Sequence, residues 1–589
     1  MARRRVGSNG AKHRQDTPPE PFSPAELIVV ARPEAGLRAR PTGIEAIAPA
    51  DARSIESILH AHGAAMEPLF GESEERLLAR APDAGGMPEP GTPRALARYY
   101  HVDAPPAELD TLAKKLQAHP AVEAAYVKPP TMLAVLTVDA PAANKRAEKV
   151  APLNDMTPSG DAPAVTPDYT PSQQYLNAAP VGVDARYAWT VPGGGGAGVR
   201  VIDCEWSWNL GHEDLLTNSG GVVVGGSAGD SNHGTAVMGE IGGDRNAVGI
   251  TGIAPAAVIS AAAFSLPTAQ VIRQAADRLG PGDIILLEIH RQGPGASGAG
   301  QDGFIAIEWW PDDFDAIRYA TNKGVIVVEA AGNGARNLDD PIYSTRPANF
   351  PADWTNPFNR INRDSGAVVV GAGAPPPGTH GRNWGPDRSR LDFSNYGALI
   401  DAQGWGREVT TSGYGDLQGG LMNQWYTEQF SGTSSASPIV VGTIACIQGV
   451  LRARGRIPLT PARARDLLRA TGSPQTDAPG RPATQRIGNR PDLRQLIPNA
   501  VQQGYWIGVQ FIGTLQPNQT QRWFTFNWPA HWHVDWTVMP ISPQPGGPQL
   551  GLTVQVERAS DRYATYWLTV QNLTNRIVNF EGRYAVLGW

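Results

Sequence analysis

The chain has 589 residues, 41% of them hydrophobic, and a formal net charge of −6. This length predicts two to four domains, because one hydrophobic core seldom serves so many residues. The negative charge argues against a general nucleic-acid binder, and the presence of only two cysteines, Cys204 and Cys446, excludes a disulfide framework and a cysteine-rich metal site.

The amino-terminal residues are basic and polar, and no apolar stretch follows them, so they do not read as a signal peptide. Residues 1–24 are predicted to be disordered. The sequence contains no run of about 18 apolar residues, which predicts that no segment spans a membrane. These observations favour a cytoplasmic location; a non-Sec export route or a misassigned start codon would overturn that expectation.

Residues 25–130 alternate short apolar strands with amphipathic segments. Leu27–Ala31, Arg98–Val102 and Val122–Val127 are predicted strands. The order β-α-β-β-α-β predicts a small ferredoxin-like α+β domain. Residues 131–171 are rich in proline and poor in large apolar residues, a composition that predicts an extended linker.

Residues 172–497 contain apolar runs too short for helices, such as Val199–Ile202 and Ile284–Leu287, separated by helical segments. This alternation predicts an α/β domain with a parallel sheet sandwiched by helices. Residues 500–589 show period-two patterns, which predict an antiparallel β-sandwich. Its Trp528, Trp532 and Trp536 are interpreted as core residues rather than as a sugar-stacking platform.

Three segments place reactive groups where an α/β sheet usually carries function, at a strand's carboxyl end or a helix start. Asp203 ends an apolar strand, His233 leads into a helix, and Ser434 precedes Pro438 near the start of another helix. A serine hydroxyl needs an adjacent base, which His233 supplies if Asp203 orients its ring. Asn333, after a further strand, is the predicted oxyanion donor together with the Ser434 backbone N–H.

These residues and the motifs around them resemble the subtilisin-like serine peptidases over about residues 172–470. The matching motifs are Gly252–Pro255, Ala330–Asn333, Phe393–Gly397 and Gly432–Pro438. The resemblance implies a serine endopeptidase that cuts protein or peptide substrates through an acyl-enzyme on Ser434 and requires no cofactor.

The same resemblance implies that residues 25–130 are an inhibitory and chaperoning pro-domain. Its tail, expected around Tyr126–Pro129, would occupy the substrate cleft. The chain would then be a zymogen that cuts itself within the linker or close to the tail.

The sequence departs from the family's pattern in two places. Cys204, Glu205 and Trp206 follow the aspartate where a small residue and glycine are usual, and Glu205 is interpreted as a surface or loop carboxylate. Leu287–Arg291 replaces a glycine-containing edge strand, so Glu288, Ile289 and His290 are predicted to bind substrate. Glu288 either favours a basic side chain at the cleavage site or pairs locally with His290 or Arg291.

The alternative function is a catalytically dead or latent peptidase fold that binds a peptide or glycan or is activated by a partner. Asp339, Asp340 and Asp401 are the candidate calcium ligands that the resemblance offers. Scattered carboxylates are usually solvated, so no metal is assigned. Cys204 and Cys446 are predicted to be packing residues.

Overall fold

The computed structural model describes residues 24–80, 88–135, 163, 165–298, 300–502, 506–530, 532–541, 546–560 and 563–588. Residues 1–23 of the segment predicted to be disordered lie outside these ranges. So do residues 136–162 and 164 of the predicted linker.

The amino-terminal part of the chain forms a four-stranded antiparallel sheet with two main helices on it. Its strand order is β4-β5-β1-β6. The elements are β1 Glu26–Ala31, β2 Arg38–Arg40, β3 Gly43–Glu45, α1 Pro49–Ala61, β4 Ala65–Pro68, α2 Glu74–Leu78, α3 Pro93–Leu96, β5 Tyr99–Asp103, α4 Leu109–Gln117, β6 Val122–Lys128 and β7 Thr131–Leu133.

Burial explains why these elements form. The inner strand β1 pairs with β5 on one side and β6 on the other, and all six of its residues are buried. Helix α4 buries Leu109, Leu112, Ala113 and Leu116, which share one face at helical spacing. The short strand β7 belongs to a different sheet, where it pairs with β12 of the central part of the chain.

The central part is built on a seven-stranded, wholly parallel sheet of order β16-β15-β14-β11-β8-β10-β9. Its elements are α5 Ala185–Ala188, β8 Arg200–Glu205, β9 Ser219–Val224, α6 Asn232–Gly242, β10 Val258–Ala263, α7 Thr268–Arg278, β11 Ile284–Leu287, β12 Ile289–Gln292, β13 Phe304–Ala306, α8 Pro311–Asn322, β14 Ile326–Ala330, β15 Val368–Gly373, β16 Ala402–Trp405, β17 Val409–Ser412, β18 Tyr426–Phe430, α9 Thr433–Ala453, α10 Pro461–Ala470 and α11 Leu493–Val501.

This sheet confirms the α/β architecture predicted for the region. Its inner strand β11 is apolar and wholly buried, and its neighbour β8 is buried from Val201 to Glu205, as expected for strands covered on both faces. The carboxyl ends of β8, β11 and β14 lie at the same end of the sheet, and helices α6 and α9 begin there. The residues singled out in the sequence therefore lie close together at that end.

Helix α9 is a central element of the core. Within the described ranges it is the one helix long and apolar enough to cross a membrane by length and composition. Its apolar window is 100% buried inside the protein. A core helix meets the same criteria, so this is weak evidence for a membrane span.

The carboxyl-terminal part contains two three-stranded antiparallel sheets, β19-β24-β21 and β20-β23-β22. The strands are β19 Trp506–Leu515, β20 Thr520–Pro529, β21 His533–Pro540, β22 Leu550–Glu557, β23 Tyr563–Asn572 and β24 Val578–Gly588. Trp528 and Trp536, one from each sheet, are buried with ring centroids 5.3 Å apart. These tryptophans are therefore core residues, with the partly buried Trp532 packed against them.

Candidate active site

His233 is bound through its Nδ1 nitrogen to the carboxyl group of Glu205. His233 is the second residue of α6, and Glu205 is the last residue of β8. The distance from Nδ1 to Glu205 Oε2 is 2.7 Å, and both side chains are buried. Because Nδ1 faces a carboxylate, it carries the ring proton, and Nε2 is left as a proton acceptor.

Asp203 does not contact His233 directly, because the carboxyl group of Glu205 makes the hydrogen bond to the ring. Its Oδ2 accepts a hydrogen bond from the indole N–H of Trp208 at 2.7 Å, and its carboxyl group contacts that of Glu205. Among the described residues, the histidine's carboxylate partner is thus Glu205 and not Asp203. The interpretation of Glu205 as a surface or loop carboxylate is wrong, because β8 continues two residues beyond Asp203 and carries Glu205 into the interior.

Burial shifts the pKa values of Asp203, Glu205 and His233. It raises the pKa of Asp203 and of Glu205 well above their ordinary values, and the charge of Glu205 raises that of Asp203 further. Burial also lowers the pKa of His233 to about 4, so its imidazole is neutral at neutral pH. Two neighbouring carboxyl groups in a buried site resist double ionisation, which is why the pKa of Asp203 is raised beyond the effect of burial alone.

Ser434 is the second residue of α9. Gly432, just before the helix, has a φ of 103°, a conformation that glycine adopts without a Cβ clash. Pro438 lies inside α9 and, lacking an N–H, leaves the Ser434 carbonyl without its helical hydrogen bond. The backbone N–H of Ser434, in the first turn of α9, donates to the carbonyl oxygen of Ala134 at 3.1 Å.

Asn333 connects the end of β14 to the start of α9. Its Oδ1 accepts from both the backbone N–H and the hydroxyl of Thr433 at 2.9 Å, and its Nδ2 donates to Gln301 Oε1 at 2.9 Å. An amide nitrogen carries two hydrogens, so one remains for a second acceptor. Asn333 is therefore held beside Ser434, and one N–H of its Nδ2 is available to bind an oxyanion.

The cleft beside Ser434 is occupied by the protein's own chain. Strand β7 pairs antiparallel with β12, with Leu133 opposite Ile289 and Met132 opposite His290. The N–H of Ala134 donates to the carbonyl of Glu288 at 3.4 Å. The predicted substrate-binding residues Ile289 and His290 thus lie on the strand with which β7 pairs.

The segment in the cleft differs from the predicted one. The sequence placed Tyr126–Pro129 there, but Tyr126 and Lys128 belong to β6, and residues 131–135 occupy the cleft instead. Gln301 fixes this segment by donating to the carbonyl oxygens of Leu133 at 3.0 Å and Val135 at 3.3 Å. The first five residues of the predicted linker are therefore ordered by the central domain.

Residues 225–489 match the model of the Subtilase family, a segment that contains His233, Asn333 and Ser434. These residues form a subtilase domain. Thermitase from Thermoactinomyces vulgaris is 27% identical over 313 residues, which cover 49% of this chain and 87% of thermitase. Subtilisin Savinase from Lederbergia lenta is 28% identical over 263 residues, which cover 43% of this chain and 77% of that protein. The similarity supports a serine peptidase.

Among solved structures, a protease of Pseudoalteromonas arctica is similar, with 20% identity and a TM-score of 0.38. The match covers 57% of this chain and 100% of that one.

Glu288 is a further buried carboxyl group of the subtilase domain. Its side chain is inaccessible to solvent and lies near the hydroxyls of Ser434 and Ser437, without hydrogen-bond geometry to either among the described residues. Burial raises its pKa well above the ordinary value, and the charges of Glu205 and Asp203 raise it further. The hypothesis that Glu288 receives a basic substrate side chain is therefore wrong, because this carboxyl group faces the catalytic residues from inside the protein.

His290 is equally buried. Its Nδ1 accepts the backbone N–H of Asn333 at 3.2 Å, and its ring lies 4.7 Å from that of Phe304. Burial lowers the pKa of His290 to about 3. His290 is thus a neutral support for the Asn333 backbone, and neither it nor Arg291 forms an ion pair with Glu288 among the described residues.

The candidate calcium ligands are separately engaged. Asp401 is paired with Arg360 and Arg469, Asp339 accepts from the N–H of Ala398, and Asp340 caps Ile342. No cluster of three or more His, Cys, Asp or Glu side chains suited to a metal occurs in the part of the chain that the structure describes. Both thiols are buried and unbridged.

Proposed function

We propose that the protein is a subtilisin-type serine endopeptidase, made as a zymogen that processes itself. The observation that carries the proposal is the position of Ala134. Its carbonyl oxygen lies 3.1 Å from the Ser434 N–H, in a chain segment paired with β12 as a peptide substrate would be. A carbonyl at this position meets the donor expected to stabilise the oxyanion of acyl transfer.

Each of these residues has a separate role in the proposed reaction. Ser434 Oγ attacks the carbonyl carbon while His233 Nε2 takes its proton, and Glu205 stabilises the imidazolium through Nδ1. The Ser434 N–H and the second N–H of Asn333 Nδ2 bind the oxyanion. His233 then gives the proton to the leaving amine, which leaves an acyl-enzyme, and a water molecule activated by the same imidazole hydrolyses it.

Residues 24–134 act in this proposal as the inhibitory pro-domain, and the bond cut during maturation is Ala134–Val135. Three contacts support that bond: the Ser434 N–H on the Ala134 carbonyl, the Glu288 carbonyl on the Ala134 N–H, and Gln301 on the carbonyls of Leu133 and Val135. Neither Ser434 Oγ nor His233 Nε2 has a hydrogen-bond partner among the described residues, a geometry that must tighten before attack.

The test compares the purified wild-type chain with Ser434→Ala by intact mass and amino-terminal sequencing. The wild type should yield a product that begins at Val135 and reacts with a fluorophosphonate probe, whereas the variant should stay whole and unlabelled. Cleavage at another bond would refute the assignment of Ala134–Val135 alone.

The alternative, a dead or latent peptidase fold, makes the opposite prediction. Its support is that the cleft is filled by residues 131–135. In that case the wild type stays intact and unlabelled like the variant. If trimming of the chain within 136–171 by an added protease restores labelling, the protein is latent; if labelling is still absent, the peptidase assignment is refuted.

A further inference from the structure

Lys128 is completely buried in a cluster of carboxylates. Its Nζ lies 2.5 Å from Asp312 Oδ2, 2.9 Å from Asp313 Oδ1 and 3.1 Å from Glu26 Oε2. Asp312 and Asp313 are in the first turn of α8, in the central domain, whereas Glu26 is in β1. Cleavage after Ala134 would thus remove Lys128 and Glu26 together and leave the two aspartates behind.

A continuous track on the central domain leads from Ser434 to these aspartates. Residues 131–133 pair with β12, and the guanidinium of Arg291, on the same strand, donates to the carbonyl of Pro129. Arg291 also lies 3.5 Å from Asp313 Oδ2. Pro129 and Pro130 keep the intervening chain extended, so the distance from the cut bond to Lys128 is fixed.

The charges left on the central domain are unbalanced. Two carboxylates, Asp312 and Asp313, face one guanidinium, that of Arg291, and the missing positive charge is the one that Lys128 supplies. Lys128 and Arg291 also lower the pKa of Asp313, although burial keeps it at about 7 in the uncut chain. An ammonium group with three donors suits two neighbouring carboxylates.

We propose that Asp312 and Asp313 form a distal subsite of the processed enzyme for a Lys or Arg side chain at the seventh residue on the amino side of the cleaved bond. The proposal rests on the proposed peptidase function and names part of its substrate preference. Protein substrates with a basic residue at that position, joined to the cut bond by an extended segment, are the ones it selects.

The experiment uses the processed wild-type enzyme and peptides that carry the sequence of residues 128–134 followed by a reporter amine, with Lys, norleucine or Glu at the first position. The Lys peptide should have a kcat/KM about three- to tenfold above that of norleucine, as expected for a partly solvated ion pair. The Glu peptide should be the poorest of the three. Peptides that begin at Pro129 should be cut at the norleucine rate.

Variants then assign the effect to its residues. Asp312→Asn and Asp313→Asn should each reduce the ratio of the Lys rate to the norleucine rate. Asp466→Asn, an exposed aspartate of α10, is the matched control and should keep the full preference. If an aspartate variant fails to fold, the comparison of wild-type rates for Lys, norleucine and Glu still decides the proposal.

The outcomes separate this proposal from the proposed function. Equal rates for Lys and norleucine, with normal fluorophosphonate labelling, would overturn the subsite and leave the peptidase standing. A Lys preference that persists in both aspartate variants would overturn it as well. Failure to cut any peptide, without labelling, would refute the peptidase and the subsite with it.

Discussion

Glu205 Oε2 lies 2.7 Å from His233 Nδ1, while Asp203, two residues earlier on β8, is bound to the indole N–H of Trp208 at 2.7 Å. The two carboxyl groups touch, so the line of contact runs from histidine to Glu205 to Asp203 to indole. Glu205 therefore orients the imidazole, and Asp203 orients Glu205.

This arrangement predicts unequal losses when each carboxyl group is removed. Glu205→Gln should slow self-processing about 10⁴-fold, because an amide cannot stabilise the imidazolium. Asp203→Asn should slow it by about 10²-fold or less, since it alters only the support of Glu205. The measurement is the first-order loss of intact chain by mass spectrometry. Equal losses in the two variants would contradict the assignment, and melting temperatures obtained in the Ser434→Ala background control for unfolding.

The sequence limits the carboxylate partner of His233 to Asp203 or Glu205, but it does not decide between them. Side chains two apart on a strand face the same side, so Asp203 and Glu205 were both available to the histidine once β8 was recognised. The predicted strand ended at Asp203, whereas β8 runs on to Glu205. Which carboxyl group meets His233 depends on where α6 begins relative to the end of β8, and that is set by tertiary packing.

The segment in the cleft escaped prediction for a different reason. Residues 131–135 read Thr-Met-Leu-Ala-Val, a short apolar run, but they follow two prolines and precede a long proline-rich stretch. Their average composition is that of a linker. Strand β7 exists because β12 offers it an edge to pair with, and local sequence carries no information about such a distant partner.

Asn333 provides the second prediction. Asn333→Ala should slow self-processing about 10²–10³-fold, as expected when one oxyanion donor is lost. Asn499→Ala is the matched control, because Asn499 is an exposed asparagine of α11 whose amide nitrogen donates to the carbonyl of Gln495. It should slow the reaction less than Asn333→Ala, and an equal or greater effect would argue against Asn333 as the donor.

The third prediction concerns Lys128 as a structural charge in the uncut chain. Lys128→Met, in the Ser434→Ala background, leaves Glu26, Asp312 and Asp313 buried around an apolar side chain. Removal of one partner from such a cluster costs about 3–5 kcal/mol. The change should appear as a lower denaturant midpoint and as faster proteolysis of residues 24–134.

Lys114→Met is the control for that variant, because Lys114 is an exposed lysine on α4. It should leave both measurements unchanged. If Lys128→Met is as stable as its control, the buried cluster contributes no net stability to the attachment of the amino-terminal domain.

The fourth prediction is a pH dependence that arises at Asp315. Its Oδ2 accepts from the hydroxyl of Tyr99 at 2.7 Å and its Oδ1 from the N–H of Gly91 at 3.0 Å, both in the amino-terminal domain, while Arg363 lies 3.8 Å away. Burial raises the pKa of Asp315 from 3.8 to about 6, although these three partners oppose the shift.

The sign follows from proton uptake. Because the folded pKa lies above the unfolded value, the folded chain binds more protons between about pH 4 and pH 6. The stability contribution of Asp315 is therefore complete below pH 4 and lost as the pH rises through 6, a change of about 2–3 kcal/mol. Asp313, with a pKa raised by burial to about 7, adds a slope of the same sign at slightly higher pH.

Asp315→Asn in the Ser434→Ala background should thus flatten the fall in unfolding free energy between pH 4 and pH 7 without abolishing it, since Asp313 remains. Asp466→Asn should leave the slope of the parent unchanged, because that side chain is exposed. Denaturant unfolding at several pH values measures both slopes. An Asp315→Asn chain whose stability falls with pH as steeply as the parent's would show that the raised pKa of Asp315 does not contribute, and the slope would then have to come from Asp313 and the other buried carboxyl groups.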